Sequence, residues 1–348
     1  MNWQPFDFGA RGAKVEVARQ GSEAAKQAST LTQLQVSANA GSAFFDLAAA
    51  EQLVTVSQAN VRRLESFAKV VHVLVDNTLC PGADASQADA QLALARNQLI
   101  QAETQVAVDR AALTEYLQTK DGQAEVDASA LLSAPPAADL AAAAMASHPF
   151  VLEEHALTLE HEAQLRFLDR SYVPVFSTSD VVFGRGAGTS TTASFPGGTA
   201  GLAPDILNWA AGVQVTFAAF DFFNLRDQRR VEQANVQAEH ARMEQASNDV
   251  TTAVQQAQAT LEGARKLAAN TPIELAAAQV SEQQQQARYR SGLATVVDIA
   301  AAESVLAQAQ GDDAIARLGV WRAELGVAVA QGDLRPFLQL MQSRAEGK

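Results

Sequence analysis

RYRSGLATVVDIAAAE, residues 288–303, breaks a long run of helix-forming residues with a single glycine, Gly292. A second interruption, NTLCPGADASQADA at residues 77–90, breaks an earlier run in the same way around Gly82. Glycine reaches backbone conformations that other residues enter only under strain, so both stretches read as points where a helix reverses direction. The fold therefore rests on antiparallel helical hairpins, with Gly82 and Gly292 as their bends.

Outward from these bends the chain is rich in Ala, Gln, Glu, Leu and Val. Residues 15 to about 78 read as one helix, with Gly21 and Gly41 as its only weak points. Sixty-odd residues rising 1.5 Å each give a rod of roughly 95 Å. Residues 86 to about 119 form the return helix. Leu92, Ala95, Leu99, Ala102 and Val106 step by three and four, as a coiled-coil seam does. After Gly292 a last helix runs to about residue 330, with Ile299, Ala302, Leu306 and Ala309 as its seam. Asn270-Thr271-Pro272 reads as a stop and a fresh N-cap inside the preceding run.

Composition agrees with packed helices. Hydrophobic residues make up 48% and aromatics only 6%, which suits close-packed alanine-rich helices better than a thick β-sandwich. The net charge of −13 argues against a nucleic-acid surface, which needs clustered Lys and Arg. Cys80 is the single cysteine, so no internal disulfide forms, and no nearby base activates it. No apolar run is long enough for a transmembrane helix. The start, MNWQPFDFGARGAK, lacks the charged and apolar regions of a signal peptide.

Two segments change character. YVPVFSTSDVVF, residues 172–183, is β-branched and aromatic and reads as a strand. A Gly/Ser/Thr/Pro loop follows. NWAAGVQVTF, residues 208–217, then alternates: Trp209, Ala211, Val213, Val215 and Phe217 on one face, Asn208, Ala210, Gly212, Gln214 and Thr216 on the other. That pattern fits a membrane β-barrel strand with lipid on one side and water on the other. It equally fits a half-buried strand of a soluble hairpin.

The halves also match each other. Phe6-Asp7-Phe8 corresponds to Phe220-Asp221-Phe222, each followed by an Arg (Arg11, Arg226), a long helix, a glycine turn and a seamed helix. Self-similarity of this kind marks a duplicated unit. The organisation read from sequence is a first repeat at 1–120, a linker at 121–148 containing Pro135 and Pro136, and a second repeat at 149–348. The second repeat holds a helix, a β-hairpin at about 172–221, a helical hairpin at about 223–330 and a tail.

Taken in order, DFGARGAKVEVA, the Gly-rich strand connection and YRSGLATVVDIAAAESVLAQA resemble the TolC-like outer-membrane efflux proteins, over nearly the whole chain. The resemblance implies a mainly α fold of long antiparallel helical hairpins, with a short β-hairpin contributing to a shared trimeric β-barrel. It implies a homotrimeric, passive export channel of the bacterial outer membrane with a periplasmic extension, in a tripartite efflux or type I secretion system. Its partners would be a periplasmic adaptor, an inner-membrane pump and outer-membrane lipid. No enzyme activity, cofactor or metal is implied.

By the same resemblance Gly82, Gly292, Leu293 and Thr295 belong to tips where adaptors dock, and Tyr289 and Asp298 narrow the tunnel entrance. Three copies of Asp298 would form an acidic ring. The residue-level alternative is that Gly292 only bends the chain and Asp298 caps the next helix. Ala294 and Ala301 stand where the best-known member has an arginine and a second aspartate, so the constriction network is incomplete here. Asp84 and Asp89 are both candidates for the matching acid of the first repeat. Trp209, Val213, Val215 and Phe217 would face lipid.

The family's first repeat has its own strand–loop–strand, and WQPFDF matches only the end of one. A trimer of the chain as given would supply about six complete strands, below the roughly eight of the smallest closed barrel. The expectation is that Met1 is an internal start. A soluble coiled-coil scaffold or adaptor, or a non-functional fragment of such a channel, is the competing reading. GRGAGTST, residues 184–191, lacks the Gly-Lys-Ser/Thr ending of a phosphate loop. His155 and His161 lie on different faces of one helix and do not share a metal.

Overall fold

The computed structural model describes residues 2–78, 81–117, 124–133, 147–186, 204, 206–217 and 219–345. Seven helices and three strands follow one another among these residues. They are β1 (Asn2–Phe6), α1 (Ala10–Asp76), α2 (Gly82–Leu117), α3 (Ser129–Ser133) and α4 (Pro149–Arg170). β2 (Val175–Arg185), β3 (Ile206–Thr216), α5 (Phe222–Arg290), α6 (Val296–Ala330) and α7 (Arg335–Ala345) complete the set. Among the described residues no helix is long and apolar enough to cross a membrane.

The chain divides into two compact units: residues 1–28 with 150–246, and residues 29–149 with 247–348. These units cut across the two sequence repeats. Within residues 124–133, Ala128 and Leu131 belong to the second unit's main core.

The first unit is built on a three-stranded antiparallel sheet in the order β1-β2-β3. β2 and β3 pair in unbroken register from Val175↔Thr216 to Arg185↔Ile206. β1 pairs with β2 through Trp3↔Thr178 and Phe6↔Phe176, with a register shift between them. The WQPF part of that segment, residues 3–6, is thus in a paired strand, and the described chain carries three strands where the sequence reading counted two complete ones. Pairing between strands so far apart in sequence leaves no local signal. At the exit from β1, the Asp7 carboxylate accepts the N–H groups of Gly9 (3.1 Å) and Arg11 (2.9 Å). This caps the start of α1, and the Arg11 N–H lowers the Asp7 pKa.

The second unit holds the main core. Phe45, Ala48, Ala128, Leu131, Leu318, Trp321, Leu325, Ala328 and Phe337 pack together. Trp321 is fully buried and its Nε1–H donates to Leu131 O at 3.1 Å. α3 and α7, absent from the sequence reading, both cover this core. Each is short, which explains why periodicity missed them. A Cβ on Gly41 would stand 2.8 Å from Leu325 Cδ2, so the small residue lets α1 and α6 approach closely. The seam Ile299, Ala302, Leu306 and Ala309 is buried, and Ala95 packs with Val61 and Leu64.

Two sequence expectations are corrected here. α5 runs through Pro272 without a break. An interior proline costs a helix about 3 kcal/mol, but the surrounding packing opposes a break. Buried Thr271 gives its hydroxyl to Asp313 at 3.1 Å, and Ala278 packs on Leu306 and Ala309. The second correction is Gly82, which is the first residue of α2 and does not adopt a left-handed conformation. Among the described residues before α2, Thr78 is left-handed, with φ 57°, and its N–H reaches Val75 O at 2.9 Å.

Candidate functional site

The hairpin end at 288–298 is held together by its own backbone. Gly292 has φ 71°. Its N–H bonds Tyr289 O at 2.9 Å, and Leu293 N–H bonds Arg288 O at 2.8 Å. This is a Schellman ending, in which glycine at the left-handed position satisfies the last carbonyls of α5. Two residues later α6 begins with a capping box. The Thr295 side chain accepts from Asp298 N at 3.3 Å, and Asp298 Oδ2 accepts from Thr295 N at 2.7 Å. The Thr295 N–H, and then its hydroxyl, hold the Asp298 carboxyl below the usual carboxylate range. Ser291, Gly292, Leu293 and Thr295 are exposed, and a Cβ on Gly292 would meet open space.

Tyr289 turns toward its own chain. Its ring lies 5.3 Å from Phe67 at 66°, against a cluster of Ala68, Val71, Ala85, Ala88 and Val296. The α1–α2 turn contributes to that cluster through Ala85 and Ala88. Asp84 lies in the first turn of α2, and Asp89 pairs with His72 Nε2 at 2.9 Å, which raises the His72 pKa. Of the two acids left open by sequence, only Asp89 has this cross-helix partner.

One group near this end was missed by sequence reasoning. Arg63 Nε lies 2.5 Å from Glu303 Oε2, and Glu303 is buried. Glu282, also buried, has its pKa raised first by burial and then by Glu303. Glu303 stands four residues after the seam residue Ile299, so a charge on the inward face of α6 was the available signal. Its partners, from α1 and α5, were not legible.

The sheet presents a different surface. Trp209, Val213, Val215 and Phe217 are 76%, 77%, 55% and 60% exposed. Residues opposite one another in register share a face, so Val182, Phe176, Trp3 and Phe6 extend this apolar surface. Thr178 and Asp180 interrupt it. The other face carries Ser177, Ser179, Asn208, Gln214 and Thr216, together with Val181 and Phe183. β2 and β3 are each 11 residues long, the length a tilted strand needs to cross a bilayer of about 30 Å. Phe220 and Phe223, beyond the end of β3, are exposed aromatics of the kind that border such a band.

Comparison with known proteins agrees. The family model described as outer membrane efflux protein matches residues 160–333, half of the chain. The chain belongs to this family. Its members are outer-membrane channels and not enzymes, so the protein is an outer-membrane efflux channel subunit.

The fold is similar to three solved channels. The outer membrane protein VceC from Vibrio cholerae is 17% identical, with TM-score 0.79, covering 95% of this chain and 78% of that one. The Campylobacter jejuni CmeC outer membrane channel is 12% identical, with TM-score 0.81 and coverage of 99% and 73%. The Neisseria gonorrhoeae MtrE outer membrane channel, solved in its open state, is 18% identical, with TM-score 0.74 and coverage of 94% and 72%. No curated protein matches the chain.

Proposed function

We propose that the chain is the outer-membrane component of a tripartite efflux or type I secretion assembly, working as a homotrimer that passes substrate without chemistry. The observation that carries this reading is the sheet: two paired strands of membrane-crossing length with an exposed apolar face and a largely polar opposite face. Unpaired strand edges are costly in lipid, so β1 and β3 take neighbouring strands in a shared barrel. Trp209, Val213, Val215 and Phe217 then face lipid.

The helical tips take the remaining roles. The exposed Gly292, Leu293 and Thr295, with Gly82 at the start of α2, meet a periplasmic adaptor coupled to an inner-membrane pump. Asp298 stays ionised because its pKa is lowered, and three copies make a cation-favouring ring. Tyr289 narrows the same entrance. The test is expression in a Gram-negative host with its outer membrane separated from its inner membrane. The expected result is a cross-linkable trimer in the outer-membrane fraction that supports export only with a cognate adaptor and pump. A monomer confined to the soluble fraction would refute the proposal and favour the coiled-coil scaffold.

A further inference from the structure

A pocket of about 490 Å³ lies within the second unit, between α1 and the ends of α5 and α6 that flank the tip. That volume is in the range of small-molecule sites. Its apolar wall is Phe67, Val70, Leu74, Tyr289 and Ile299. The Phe67 and Tyr289 rings meet edge to face there, with centroids 5.3 Å apart. The ionic groups lining it are Arg63, Arg290 and Glu303.

These charges do not balance. Glu303 is buried and takes only Arg63 Nε, at 2.5 Å. Nη2 of the same guanidinium is buried and has no hydrogen-bond partner. A buried donor left in this way is rare and calls for an acceptor. Arg290 is exposed and lines the same pocket. Two guanidiniums thus face one carboxylate, a surplus of one positive charge. Glu282 does not line the pocket, and burial favours its neutral form.

We propose that this pocket binds an aromatic organic anion, a carboxylate in the first instance. The ligand's carboxylate accepts from Arg63 Nη2 and is attracted by Arg290. Its rings lie against Phe67, Val70 and Tyr289. Hydrogen bonds from a guanidinium to a carboxylate are charge-assisted and short, and aromatic neighbours add contacts of defined geometry. Water could satisfy Nη2 but would leave the apolar wall wet. The bound ligand joins α1 to α5 and α6 beside the tip. The inference rests on the second unit alone and stands apart from the export reading.

The full chain, purified in dodecyl maltoside, is titrated by calorimetry with biphenylcarboxylate in matched detergent, with protein-free micelles as the blank. One saturable site per chain is expected. The biphenyl alcohol and amine of the same shape should bind at least about tenfold more weakly. Arg290→Gln and Val70→Glu change exposed residues and should each weaken binding about tenfold. Arg63→Lys keeps a cation for Glu303, loses the second donor and should do the same. Arg62→Gln, the same charge change outside the pocket, should leave binding unchanged. Circular dichroism checks folding, and the two exposed variants serve if Arg63→Lys unfolds. Amide exchange at 286–299 should slow on binding. Absence of saturable binding up to about 1 mM, equal binding of the alcohol or amine, or binding that survives both Arg290→Gln and Val70→Glu, overturns the proposal.

Discussion

Glu324 has no solvent exposure, and its Oε1 accepts from Arg265 Nη2 at 2.7 Å across the α5–α6 pair. On the same two helices Leu261, Val320, Ala323 and Val327 form an apolar cluster. Each ion loses several kcal/mol of hydration on burial, and their mutual attraction offsets that loss only while both are present. Arg265→Met therefore takes a cation from a fully buried carboxylate and should cost about 3–5 kcal/mol. That is two to four powers of ten in the folding equilibrium at 1.4 kcal/mol each. Adding Glu324→Leu removes the buried carboxylate as well. The double variant should return to wild-type stability or exceed it by about 1–4 kcal/mol. Denaturant unfolding in detergent, followed by circular dichroism, measures all three proteins. The reasoning fails if Arg265→Met lies within about 1 kcal/mol of wild type, or if the double variant is as unstable as the single.

Further expectations concern the tip, the core and the sheet. Gly292→Val places a β-branched residue at φ 71°, costing about 1–2 kcal/mol, and should reduce adaptor-dependent export more than trimer formation. Equal loss of both would make the glycine merely structural. Asp298 has a folded pKa below its ordinary 3.8, so its contribution is fully present above that value and fades as pH falls through the folded pKa. Amide exchange at 296–299 should accelerate in that acid window and be independent of pH-linked capping in Asp298→Asn. Trp321→Ala should destabilise by about 3–5 kcal/mol, read as a fall in the denaturation midpoint. Val213→Arg should hinder outer-membrane insertion by about 2–4 kcal/mol per chain, whereas Gln214→Arg on the opposite face should not.

What could be read from sequence follows how local each signal is. Gly292, Thr295 and Asp298 act within one turn, so the second bend was legible residue by residue. Strand β3 was legible because alternation is a local period. The first bend was placed on Gly82 because glycine is the usual left-handed residue, yet among the described residues before α2 it is Thr78 that is left-handed. Pro272 misled because the groups that keep α5 continuous, Asp313 and Leu306, come from another helix. Leu131 looked like linker because its partner, Trp321, is far along the chain. The pairs Arg63–Glu303 and His161–Glu232 depend on which helices adjoin, which no spacing encodes.

The Schellman ending and the capping box enclose residues 288–298 in bonds drawn from that segment alone. Such a turn needs no partner to set its shape. If the proposed adaptor docks there, it meets a backbone already fixed, and little chain freedom is left to lose on contact. Tip recognition can then tolerate weak individual contacts, and affinity can be adjusted at Leu293 without rebuilding the backbone that displays it.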